Sequence, residues 1–110
     1  MSKLNLVKPQ GIVIELNNVQ YDLVYDFNAF AELEKEFGDI QTAFEKLASP
    51  KFSDILVILS AGLSSNENPP TKKELGKYLT PTNINQVVEI IGEALNVAMP
   101  AEEKTKKEKN

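Results

Sequence analysis

At 110 residues, 42% apolar and 25% charged, the chain is long enough for one domain with a modest core, and ordinary enough in composition for most of it to fold. It has no cysteine, no histidine and no arginine, and its formal charge is −4 at pH 7. Those absences exclude disulfides, thiolate metal sites and cysteine or histidine catalysis, and the guanidinium fork that reads phosphate and guanine; the acidic balance argues against nucleic acid or an anionic membrane as partner.

Residues 1–10 read as a leader without the apolar h-region of a secretory signal, closed by Pro9 and Gly11. Ile12, Ile14 and Leu16 then alternate with Val13 and Glu15, the period of a half-buried strand. Asn17-Asn18 follows, and asparagine tolerates the positive φ of a two-residue hairpin turn. A turn there sets Leu16 opposite Val19, Ile14 opposite Tyr21 and Ile12 opposite Leu23. All six then share one face, with Glu15, Gln20 and Asp22 on the other. A lone hairpin is marginal in water, so this face must lie on helices.

Tyr25 to Leu47 reads as two short helices with a glycine between them. Asp26 or Asn28 caps the first, in which Phe30, Leu33 and Phe37 share a face. Gly38 provides a left-handed stop, and Asp39 caps a second helix with Ile40, Ala43, Phe44 and Leu47 inward. Ser49-Pro50 reads as the N-cap and first position of a third helix, closed by Gly62. Its Ile55–Leu59 run is aliphatic throughout, so composition also admits a buried strand; length and the flanking signals favour a helix. That helix is either the central core element or one that keeps a face, with Ile55, Ile58 and Leu59, for another protein. The run is far too short to cross a membrane.

Ser64 to Pro70 is a loop. Thr71 and Glu74 form a capping box at the start of a short helix with Leu75, Tyr78 and Leu79 inward. After a turn at Thr80–Asn83, a last helix reaches about Ala98, with a stripe of Ile84, Val87, Val88, Ile91, Ala94, Leu95 and Ala98. Ile90 and Val97 fall roughly 100° or more from that stripe, one heptad apart, and are the candidates for contact with another chain. Residues 100–110 lack apolar periodicity and are expected to be disordered. The predicted architecture is α+β: an N-terminal β-hairpin packed on about five short helices in one globular unit over 11–99.

No phosphate loop, metal-ligand spacing or nucleophile signature occurs, so no catalytic, cofactor or metal residues are assigned and an enzyme is not expected. The pairs Asp22/Asp26 and Glu32/Glu36 read as solvated faces, since no companion base or oxyanion donors accompany them. Residues 71–95 have the outline of a helix-turn-helix, but its second helix offers Asn83, Asn85 and Gln86 followed by Glu89 and Glu93, which would repel phosphates.

The hairpin followed by YDFNAFAELEKEFGDIQTAFEKL and FSDILVILSAGLSS resembles the small tail assembly chaperones of long-tailed bacteriophages (siphophages) and related prophages. Phe27, Phe30, Leu33, Glu34, Phe37 and Gly38, and then Ala61, Gly62 and Leu63, occupy the positions of that pattern over roughly residues 11–98. The resemblance implies a non-enzymatic scaffold in the host cytoplasm, absent from the mature virion. It would bind the tape measure protein, help recruit major tail protein subunits, and possess a longer frameshifted form. The alternatives are an acidic protein-interaction or regulatory adaptor domain and a helix-turn-helix DNA-binding protein; self-association into a homo-oligomer stays open.

Overall fold

A computed structural model describes Leu4, Leu6 and residues 8–98; the expectation for 100–110 lies outside the described residues. Strands β1 (Ile12–Leu16) and β2 (Val19–Leu23) form an antiparallel hairpin. Its register is the expected one, Leu16 opposite Val19, Ile14 opposite Tyr21 and Ile12 opposite Leu23. Asn17 and Asn18 carry the turn at φ 51° and 66°. Five helices follow: α1 (Phe27–Phe37), α2 (Ile40–Ala48), α3 (Phe52–Leu63), α4 (Lys72–Gly76) and α5 (Ile84–Ala98). The architecture is therefore α+β, a hairpin followed by helices, and Ile55–Leu59 is helical.

The helix ends follow local chemistry. The Asp26 carboxylate accepts from the Ala29 N–H at 3.0 Å and Asp39 accepts from the Thr42 N–H at 2.7 Å, so both helices of the first pair begin on aspartate caps. Gly38 stands between them at φ 93° and donates its N–H to the Glu34 carbonyl, a conformation that costs other residues steric energy. At α4, Thr71 and Glu74 bond reciprocally as a capping box. Thr80 and Asn83 repeat the device before α5, each side-chain oxygen accepting the other's backbone N–H.

Three details depart from the sequence reading. Helix α3 starts at Phe52 rather than at Pro50, because α2 runs to Ala48 and takes Ser49 as its own C-terminal cap residue. Gly62 does not stop α3; it lies inside the helix, where an added Cβ would come within 2.6 Å of both Leu23 Cδ1 and Tyr25 Cζ. Helix α4 ends at Gly76, so of its three expected inward residues only Leu75 is fully buried; Leu79 is half-buried and Tyr78 exposed.

Helix α3 is the hub, packing against α1, α2, α4, α5 and β2. The largest fully buried side chains are Leu23, Tyr25, Leu33, Ile55, Ile58, Leu63, Leu75 and Ile91, drawn from the hairpin, the segment leaving it and every helix except α2. Each such side chain stabilises by roughly 1.5–3 kcal/mol. Among the described residues no charged side chain is buried. None of the helices is long and apolar enough to cross a membrane among those residues.

Candidate protein-binding surface

The sequence-derived contact residues separate into three groups. Ile55, Ile58 and Leu59 are 0%, 1% and 3% exposed. They face the core; Ile55 and Ile58 offer a partner no access, and Leu59 is reached only at the floor of the cleft described below. Ile90 is half-buried and packs against the core rather than standing free on the polar side of α5. The helical-wheel angle fails for Ile90 because α5 has two partners, α3 and β1, and together they bury a wider arc than a single stripe. Val97 alone is exposed as expected.

The exposed apolar surface lies elsewhere, and the elements that build it explain its form. Where β1 meets α5, the side chains of Ile14, Leu16, Val87 and Ile90 leave a cleft of about 250 Å³, floored by Leu59 and edged by Tyr78. Leu79 closes one wall of that cleft and also one wall of a second, about 220 Å³, formed by Phe52, Leu56, Pro81 and Ile84. Because Leu79 is shared, the two make one apolar band from the start of α3 to the hairpin. The chain after α4 places Leu79 there: Asn83 Nδ2 donates to the Tyr78 carbonyl at 2.8 Å and holds the turn against α5. A third groove, about 280 Å³, runs between α1 and α2 along Phe30, Ile40 and Phe44.

Each groove has an aromatic ring at its border that the fold does not cover. Phe27 is 87% exposed beside the α1–α2 groove, Phe52 is 60% exposed at one end of the band, and Tyr78 is partly exposed at its middle. The charged residues lining these surfaces are Glu15 and Glu34, both acidic. Such rings bring a large contact area with few rotatable bonds, which suits an apolar partner surface.

The sequence reading missed Phe52, Tyr78 and Leu79 as surface residues. Phe52 carried a signal: it precedes the aliphatic run by three positions and lies on the first turn of α3, where its N-terminally tilted side chain has no preceding turn to pack on. Leu79 carried none, since its role depends on three elements meeting.

One carboxylate of each pair considered for acid–base work has a structural partner. Asp26 caps α1 and also accepts from the Ser65 hydroxyl, while Glu36 stands 4.0 Å from the Lys72 ammonium. Asp39, fully exposed, is held below the usual carboxylate range by the backbone N–H of Thr42 and then by that residue's side chain. Tyr25 is the titratable group with the strongest perturbation, pushed well above the ordinary phenol value by burial. Its hydroxyl donates to the Ile58 carbonyl at 2.8 Å, so the group is a satisfied core tyrosine.

The fold defines a small α+β domain with an acidic, partly apolar exterior. No protein-family model, curated protein or solved structure matches the chain.

Proposed function

We propose that this protein is a tail assembly chaperone of a long-tailed phage or prophage. It acts in the host cytoplasm by binding the tape measure protein and helping to recruit major tail protein subunits, without catalysis, cofactor or nucleic acid. The observation that carries the reading is the pair of adjoining apolar clefts that share Leu79, reaching from Phe52 to Ile90, on a chain of formal charge −4. A long helical client exposes apolar stripes that aggregate unless covered, and a groove of this kind takes an amphipathic helix by its i, i+3, i+4 and i+7 side chains. The acidic exterior keeps the complex in solution through self-repulsion.

The same features weigh against DNA binding. Helix α4 has five residues, and the exposed residues of α5 include Asn85, Gln86, Glu89 and Glu93 with no lysine. A recognition helix needs cations to gain from counterion release.

Co-expression with a cognate tape measure protein tests the proposal. The expected result is a soluble complex that co-elutes in size-exclusion chromatography. A client that stays insoluble, with no complex recovered, would overturn it.

A further inference from the structure

The hairpin turn determines which backbone groups of the two strands look outward. With positive φ at both Asn17 and Asn18, Leu16 and Val19 form the hydrogen-bonded pair that closes the loop, and Ile14–Tyr21 and Ile12–Leu23 are the next such pairs. Val13 and Glu15 therefore aim their N–H and C=O groups away from β2, and Asp22 aims its own away from β1.

The outer edge of β2 is covered at Asp22. The side-chain amide of Asn66 accepts from the Asp22 N–H at 3.0 Å and donates to the Asp22 carbonyl at 2.8 Å, the two bonds a neighbouring strand would supply. Further along, the Val24 N–H donates to the Gly62 carbonyl at 2.8 Å. The outer edge of β1 has no such cover: among the described residues, no hydrogen bond outside the hairpin reaches Gly11, Val13 or Glu15. Val13 is 61% exposed, and neither lysine nor proline interrupts residues 11–16 to discourage pairing.

We propose that this edge pairs with the same edge of a second copy of the chain, antiparallel about Val13, giving a four-stranded sheet in the order β2–β1–β1–β2. The edge is its own complement. Val13 exchanges reciprocal bonds with the Val13 of the second copy, and Gly11 does so with Glu15 at both ends. Pro9, which has no N–H, then lies opposite the Asn17 turn, so the ladder stops at the same point on both sides. Charge fixes the same register: Glu15 faces a glycine, whereas a slip of four residues would set it against its own copy. Slips of two residues run the ladder into Pro9 or into the turn. A foreign strand would need to match these limits; a second copy matches them by symmetry. This inference is independent of the proposed function.

Sedimentation equilibrium of the full chain over a wide concentration range, together with amide exchange, tests it. The expected result is a monomer–dimer equilibrium in which protection of the Val13 and Glu15 amides rises with the dimer fraction. Val13→Pro removes an outward N–H at an edge position where proline is tolerated, and it should give a monomer with an unchanged circular dichroism spectrum, while Glu15→Lys, opposite glycine, should still dimerise. A chain that stays monomeric at every concentration overturns the proposal. So does a dimer that survives Val13→Pro, or one whose Val13 and Glu15 amides exchange at the monomer rate.

Discussion

The phenol of Tyr25 and the carbonyl of Ile58, 2.8 Å apart, tie the chain leaving the hairpin to the middle of α3. The contact is possible because Gly62, one turn further along α3, has no Cβ; one placed there would sit 2.8 Å from the same hydroxyl. Tyrosine and glycine thus form a matched pair: the ring fills the space that a side chain at 62 would occupy.

Tyr25→Phe keeps the ring and loses the donor. The Ile58 carbonyl retains its place in the helix, so the expected loss is about 1 kcal/mol in a urea titration. The wild type should also lose stability in alkali relative to this variant. Burial raises the folded phenol above its ordinary value of about 10, so above that pH the unfolded chain binds fewer protons and stability falls as pH rises. The contribution is complete below about pH 10 and declines by up to ~1.4 kcal/mol for each further unit. Equal alkaline slopes for the two proteins would refute the assignment.

Two glycines in helices should respond to alanine with opposite sign. Gly62→Ala forces a methyl into Leu23 and Tyr25 and should cost about 1–3 kcal/mol, at the upper end because Leu23 and Tyr25 are themselves fully buried. Gly92 on α5 is exposed with open space at its Cβ, so Gly92→Ala should stabilise by roughly 0.5–1 kcal/mol. Paired thermal melts read both.

Asp39 gives an acid-side signature. Its folded carboxyl is depressed by the Thr42 N–H, so its support of α2 is present above the ordinary carboxylate range and is lost as pH falls through the lowered value. A carboxyl-carbon NMR titration should place Asp39 below a free aspartate. Asp39→Asn should abolish that contribution to the acid response while keeping a capping oxygen.

Phe52 separates binding from folding. It is 60% exposed, so Phe52→Asp should change stability by no more than about 0.5 kcal/mol. Loss of a ring at the end of the band should nevertheless weaken client capture at least tenfold in a pull-down titration, as loss of a hot-spot aromatic does. The Val97→Asp variant serves as the comparison, since Val97 lines none of the grooves described above. Undiminished capture by Phe52→Asp would remove the band from the mechanism.

Much of the fold was legible because its signals are local. Alternation about Asn17-Asn18 set the hairpin register, and Asp39, Gly38 and the Thr71–Glu74 box act through bonds within four residues. Gly62 was misread because a helix stop and a close approach look alike in one dimension; Leu23 and Tyr25, 39 and 37 positions earlier, distinguish them. The exposure of Ile90 was overestimated for a related reason: a helical wheel assumes one buried direction, and α5 packs on both α3 and β1. The binding surface was least legible, since Leu79 joins two clefts only after α3, α5 and the α4 turn have met.

The central place of α3 also has a kinetic side. The hairpin is marginal in isolation, and α1 and α2 are too short to persist alone in water. The helix both need begins at residue 52. During synthesis at about 5–20 residues per second, the first half of the chain has nothing to settle on for several seconds, and then gains its scaffold nearly at once. Folding on the ribosome is therefore expected to proceed as one late, concerted event rather than from the N-terminus onward, with β2 and α1 acquiring exchange protection together with α3.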